Sequence, residues 1–236
     1  MRAYFSKIYQ HGQAAFADVL EQRMKANEKT FIVTANPETL MIGTENPDFD
    51  HVLKSENTMI VPDGIGVVKA ANILDYPVKE RVTGVEIVQD LLRIADQQKK
   101  SIFLFGAKEE VVSQFVKKIG TDYPNVTVVG YENGYVEDKD KVFDKIVEAK
   151  PDIVLVALGI PAQELLIFKH YDRFQKGIFV GVGGSFDVLS GMKKRAPKIF
   201  IKLNLEWLYR IVKEPSRFKR FYNSNVKFIS KIRKMK

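Results

Sequence analysis

The sequence has no cysteine, only three histidines (His11, His51 and His170) and a single tryptophan, Trp207. Without cysteine there is no disulfide, no thiolate nucleophile and no thiolate metal site. The three histidines are too far apart in sequence to form a zinc motif, so the expected metal site is none, and the expected cofactor is none. Long apolar runs are also missing. The longest, Ile153–Ile160, is far below the roughly 20 residues a membrane-spanning helix needs. Met1–Gln22 mixes Arg2, Lys7, Asp18 and Glu21 with apolar residues and shows no signal peptide. The expectation is a cytoplasmic protein that touches a membrane without crossing it.

Acidic residues are scarce in one place. The last 46 residues carry 15 Lys and Arg against only Glu206 and Glu214, a surplus of +13 in a chain whose total is +8. The preceding 190 residues therefore sum to −5, and the basicity belongs to the tail. A near-neutral body with a cationic, aromatic-rich tail is the pattern of a protein that meets polyanions or an anionic membrane face. The division expected is a core over residues 1–194 and a basic amphipathic helical appendage over 195–236. In the appendage Ile199, Phe200, Leu203, Trp207, Leu208, Ile211 and Val212 share one helical face. Pro215 interrupts, and Phe218, Phe221, Tyr222, Val226, Ile229 and Ile232 form a second stripe flanked by lysines and arginines.

In the body, short runs rich in Val, Ile and Phe alternate with amphipathic segments. Thr30–Ala35, Thr58–Val61, Ser101–Phe105, Val126–Gly130, Asp152–Leu158 and Ile178–Gly181 read as strands, several of them apolar at nearly every position, as in a parallel sheet covered on both faces. Thr83–Lys100, opening on a Thr83–Glu86 capping box, reads as a helix, as do Lys108–Ile119, Lys139–Ala149 and Ala162–Phe174. The fold class expected is α/β: a Rossmann-like, mostly parallel sheet with helices on both faces, plus the helical appendage. Ligands of such folds sit beyond the carboxyl ends of the strands.

Candidate residues follow from those ends. Asp63 stands after a strand and before Gly64, either as a general base at the ligand edge or as a cap on the next helix. Thr34 and Asn36, in T-A-N-P, either contact a sugar or phosphate or serve the helix that Pro37 starts. Gln163 is open to the same two readings. Arg81 either clamps a diphosphate or is a solvated loop residue. In G-V-G-G-S-F, Gly183 and Gly184 either bring backbone amides to an anion or form a plain tight turn. The stretch departs from a dinucleotide fingerprint, since it follows the sixth strand and has Phe186 where a third glycine is expected, so it argues weakly for NAD. A nucleic-acid-binding module is supported only by the tail's charge and aromatics.

The strings T-A-N-P-E, V-P-D-G-I-G-V, R-V-T-G-V-E, L-F-G-A, L-G-I-P-A-Q-E, G-V-G-G-S-F-D-V-L-S-G and K-R-A-P-K…L-E-W-L-Y-R…E-P-S-R-F-K-R, in this order from about Thr34 to Arg220, resemble the WecG/TagA/CpsF glycosyltransferase family. That family includes N-acetylmannosaminyltransferases that begin wall teichoic acid linkage units, moving ManNAc from UDP-ManNAc to the 4-hydroxyl of GlcNAc on undecaprenyl diphosphate; relatives use other UDP-sugars. The resemblance implies an inverting, metal-independent transfer. It matches Asp63 to a general base, Arg81 to a stabiliser of the departing diphosphate, and Thr34, Asn36 and Gln163 to pocket residues. Arg210, Arg217 and Arg220 match arginines of a C-terminal appendage that closes over the site. Ala162 replaces a frequent basic residue and Leu165-Leu166 a frequent Trp, which bears on local substrate contacts. The partners implied are a UDP-sugar donor, an undecaprenyl-diphosphate-linked GlcNAc acceptor and an anionic membrane surface on the inner face of the cell membrane. The apolar tail is expected either to dock on the body or to lie at a membrane, with self-association when neither is available, and no nucleic acid is expected.

Overall fold

Six segments dense in Val, Ile and Phe extend into strands: β1 (Thr30–Ala35), β2 (Thr58–Pro62), β3 (Ser101–Gly106), β4 (Thr127–Glu132), β5 (Ile153–Ala157) and β6 (Ile178–Gly181). In the computed structural model, which describes residues 1–235 apart from the side chains of Arg217 and Arg220, they form one sheet in the order β2-β1-β6-β5-β3-β4. Every pairing is parallel. All six strands expected from the apolar runs are present, each within a residue or two of its expected ends.

Thirteen α-helices are assigned among the described residues. They are α1 (Arg2–Phe5), α2 (Gln13–Lys25), α3 (Pro37–Glu45), α4 (Pro47–Lys54), α5 (Ile65–Ile73), α6 (Gly84–Gln98), α7 (Glu109–Asp122), α8 (Lys139–Ala149), α9 (Ala162–His170), α10 (Ser185–Leu189), α11 (Lys198–Lys202), α12 (Glu206–Lys213) and α13 (Arg217–Met235). They cover both faces of the sheet because successive strand side chains point to opposite sides. Phe31, Val33, Phe103, Phe105, Val154, Val156 and Phe179 join one apolar cluster with residues of α1, α3, α4, α5, α8, α9 and α13. Ile32, Ile102, Leu104, Ile153, Leu155 and Val180 join the other, with α2, α6, α7 and α10. The central strands β1, β5 and β6 are buried throughout, while the edge strand β4 alternates between exposed and half-buried positions.

The chain leaves β1 toward one edge of the sheet, where β2 lies, and leaves β3 toward the other, where β4 lies. Such reversals open crevices at the carboxyl ends of the strands. The ends of β1, β2 and β6 are neighbours and place Thr34, Asp63 and the Gly181–Ser185 turn together.

The first tail stripe, expected as one helical face, is split. Asn204, with φ of 59°, turns the chain between α11 and α12. The far end of α13 is held on the body: Phe228 and Ile232 enter the first core cluster, Phe228 lies 6.5 Å from Phe5 ring to ring, and Lys227 pairs with Glu45. Trp207 of α12 stacks on Phe221 of α13 at 4.7 Å. Ile199, Leu203, Val212, Phe218, Tyr222, Val226 and Ile229 remain exposed. No helix among the described residues is long and apolar enough to cross a membrane.

Candidate active site

Asp63 follows β2, and its backbone N–H donates to the Ala35 carbonyl at 2.9 Å, continuing the β1–β2 ladder one step past the strand. Its side chain does not cap the next helix; that position belongs to Gly64, which supplies no side-chain bond. The backbone amide of Gly84, the first residue of α6, lies near enough to favour the charged form of the carboxyl group. Asp63 is half-buried. Burial pushes its pKa up from 3.8 to about 6, against the pull of the Arg210 guanidinium; the Glu206 carboxylate adds to the rise, and Arg81 and the Gly84 amide oppose it. An acid so placed is roughly nine-tenths ionised at pH 7 yet basic enough to accept a proton.

The surrounding residues are positioned by local rules. Thr83 caps α6, accepting the Glu86 N–H at 3.3 Å, and its hydroxyl donates to Glu86 Oε2 at 2.7 Å. The helix start thereby presents amides toward Asp63, where a helix favours negative charge. Gly84 lies close to β1 and α10: a Cβ there would sit 3.6 Å from Thr34 Cγ2 and 3.5 Å from Ser185 Oγ. Thr34 donates to the Gly181 carbonyl at 3.2 Å, tying β1 to β6 at the crevice. Asn36 is the cap of α3, its Oδ1 accepting Thr39 N–H at 3.0 Å while Thr39 Oγ1 accepts the Asn36 N–H at 3.2 Å. The capping reading of Asn36 is therefore realised.

Gln163 is a brace. It is almost fully buried, and its Oε1 accepts both Gly159 N–H and Gly183 N–H at 3.1 Å, tying the turn after β5 to the turn after β6. Its Nε2 donates to Glu164 Oε1 at 2.7 Å. Gly181 must be glycine to admit this pair, since a Cβ there would lie 2.7 Å from Gln163 Nε2 and 2.8 Å from Glu164 Oε1. The Gly183 amide is thus already engaged. Gly183, at φ of 47°, and Gly184, the cap position of α10, form the turn over which α10 starts. Glu164 is fully buried, its Oε2 has no hydrogen-bond partner among the described residues, and burial pushes its pKa up to about 7.

Arg81 is not a solvated loop residue. Its side chain is 14% exposed, and α11 and α12 hold it: Nη1 lies 3.4 Å from Glu206 Oε2, and Nη2 donates to the Ile201 carbonyl at 3.2 Å. Arg210 Nη2 donates to Glu206 Oε1 at 3.0 Å. Arg81 and Arg210 are close enough to Asp63 to act on its charge, and Thr34 and Asn36 lie at the neighbouring end of β1. The side chains of Arg217 and Arg220 lie outside the described residues.

Cationic side chains around a carboxylate at a strand-end crevice, under a basic tail, suit transfer chemistry on an anionic substrate, and sequence comparison identifies which. Residues 5–236 match the model of the glycosyl transferase WecG/TagA/CpsF family. The chain belongs to that family. It is a glycosyltransferase, in agreement with the resemblance carried by its motifs. It is 44% identical over 194 residues, 82% of this chain and 75% of the relative, to the N-acetylglucosaminyldiphosphoundecaprenol N-acetyl-beta-D-mannosaminyltransferase of Bacillus spizizenii. The protein of the same name from Bacillus subtilis is 43% identical over 207 residues, 87% of this chain and 80% of that one. The one from Staphylococcus aureus strain MW2 is 38% identical over 215 residues, 89% and 84%.

Three site residues escaped the sequence reading: Glu206, Arg195 and Glu86. Arg195 donates to Glu86 Oε1 at 3.2 Å and places its Nε 3.9 Å from Glu206 Oε1. The available signal was the rarity of acid in the tail, where Glu206 is one of two such residues.

Proposed function

We propose that this glycosyltransferase moves N-acetylmannosamine from UDP-ManNAc to the GlcNAc of GlcNAc-diphosphoundecaprenol, with inversion at the anomeric carbon and Asp63 as general base. The observation that carries the mechanism is the half-buried Asp63 carboxylate just past the end of β2, its pKa raised to about 6, within electrostatic reach of Arg81 and Arg210. The names of the relatives supply the sugar and the acceptor.

In this reading the acceptor hydroxyl attacks the anomeric carbon while Asp63 takes its proton. The bond from that carbon to the diphosphate oxygen breaks, and UDP leaves with the electron pair. The growing charge on the diphosphate needs donors already in place, and guanidinium groups provide them with fork geometry suited to phosphate. Arg81 and Arg210 fill that role, with Thr34 and the Asn36 amide on the sugar side. Gln163 acts indirectly, by fixing the Gly159 and Gly183 turns.

Residues 195–236 serve as the closing element and the membrane contact. The exposed Ile199, Leu203, Val212, Phe218, Tyr222, Val226 and Ile229 lie among Lys198, Lys202, Lys213 and Lys219, a composition suited to an anionic bilayer, where each basic residue contributes about 1 kcal/mol. The acceptor lipid would bring the same bilayer to the site, on the cytoplasmic side where nucleotide sugars are available.

The test is UDP release by the purified protein with UDP-ManNAc and a short-chain GlcNAc diphospholipid, followed by the anomeric configuration of the product. Release that requires both substrates and gives the inverted linkage is expected. Turnover with a different UDP-hexose and none with UDP-ManNAc would refute the donor assignment, and retention of configuration would refute the single displacement.

A further inference from the structure

Glu206 is the anionic centre of a cluster that the transfer reaction does not by itself require. It belongs to the first turn of α12, is nearly fully buried, and meets three guanidinium groups: Arg210 at 3.0 Å, Arg81 at 3.4 Å and Arg195 at 3.9 Å. Arg81 and Arg195 come from different parts of the chain, one before α6 and one after α10. A lone carboxylate has two oxygens to share among three forked donors. The shortage is visible at Arg195, whose buried Nε has no hydrogen-bond acceptor among the described residues. Three guanidiniums converging on one small anion, with a donor left over, form a site larger than the group that fills it. A diphosphate, with more oxygens and more charge, matches it better.

The charges nearby are balanced. Arg81, Arg195 and Arg210 face Glu206, Glu86 and Asp63. A nucleotide diphosphate brought to this cluster would add about two negative charges to a neutral set unless one anion withdraws. Asp63 is fixed at the β2 end by its backbone bond to Ala35, and Glu86 by Thr83. Glu206 stands on the appendage, on a helix that places no residue in either apolar core cluster. It is the anion able to leave.

We propose that Glu206 is an intramolecular stand-in for the donor's diphosphate: it holds Arg81, Arg195 and Arg210 assembled while the site is free of nucleotide, and gives them up when the diphosphate arrives. Arg195 thereby becomes a third diphosphate-binding residue. The inference rests on the UDP-sugar reading above. Because Glu206 and the nucleotide compete for the same donors, the clasp sets the affinity for UDP, and weakening it tightens binding by thermodynamic linkage.

The experiment is calorimetric titration of UDP and UMP into the wild-type protein and into Glu206→Gln and Glu206→Asp, with thermal unfolding as a check on folding. Glu206→Gln removes the competing charge and is expected to bind UDP about tenfold more tightly than wild type, within the range typical of coupled sites. UMP, without the β-phosphate, is expected to gain less. Glu206→Asp, which only withdraws the carboxylate by one methylene, is expected to show a smaller gain in UDP affinity, and it carries the test alone if the glutamine variant does not fold. Unchanged or weaker UDP binding in a folded variant, or an equal gain for UMP, would overturn the proposal and leave Glu206 a purely architectural tie. If wild type and variants all fail to bind UDP, the donor assignment itself falls and the clasp loses its ligand.

Discussion

Replacing Asp63 by Asn keeps the shape and removes the charge, and the structure fixes what should happen to both stability and rate. The folded-state pKa is about 6 against 3.8 for the free side chain, a rise caused mainly by burial. A carboxyl whose folded pKa is raised favours the folded state at low pH. That contribution is complete below pH 4 and is lost as pH climbs through 6. About two pKa units at 1.36 kcal/mol each amount to about 3 kcal/mol, an upper bound on what holding this group ionised costs the wild type at pH 7.5. Asp63→Asn has no such loss. Relative to wild type it should therefore gain stability between pH 4 and pH 7.5, by about 2–3 kcal/mol, while turnover falls by about 10²- to 10⁴-fold, the usual worth of a general base. Denaturant unfolding at the two pH values, beside UDP release at pH 7.5, measures both. Equal stability differences at pH 4 and 7.5 would refute the buried-carboxylate account, and undiminished turnover would refute the role.

Glu164→Gln tests the brace beneath the site: with a folded pKa of about 7 and no hydrogen-bond partner for Oε2 among the described residues, Glu164 favours the folded state below pH 4.5 and loses that contribution as pH rises through 7. The glutamine variant should be more stable than wild type by up to about 3 kcal/mol at pH 8.5 and show no such advantage at pH 4, read by thermal unfolding. For the tail, wild-type protein should sediment with vesicles containing anionic lipid and release at high salt, whereas Leu203→Ser combined with Val212→Ser should cut binding several-fold at constant charge; equal binding to neutral vesicles would count against the basic contribution. Phe228→Ala should destabilise the protein by about 3 kcal/mol, because the ring is fully buried against Phe5, and unchanged unfolding would mean that α13 does not dock.

The sheet was legible because its strands are buried on both faces and so read as apolar runs that no helix of that length would show. β1, β5 and β6 are the clearest, and β4, at the edge, the least so. Strand ends pointed to Thr34, Asp63 and Gln163, a connection to Arg81 and the family resemblance to Arg210; in the fold Arg81 and Arg210 act on the charge of Asp63. Spacing alone did not decide between roles. Asn36 proved to be a helix cap, and Gln163 ties two turns together, because a side-chain amide serves backbone and ligand by the same hydrogen bonds. The tail's break at Asn204 was hidden by an apolar pattern that runs on across it. Glu206 was hidden for a different reason: its importance comes from Arg81 and Arg195, more than 100 and about ten residues away, which only the folded chain brings to it.

The account stands or falls on Asp63 accepting the acceptor's proton. The most direct measurement is the pH dependence of kcat/KM for UDP release with UDP-ManNAc and a short-chain GlcNAc diphospholipid. A single ionisation is expected to control the acid limb, with half-maximal rate near pH 6 and a plateau above pH 7, and Asp63→Asn should abolish that limb along with most of the rate. A wild-type profile that is flat from pH 5 to 8, or an acid limb that survives in Asp63→Asn, would contradict it.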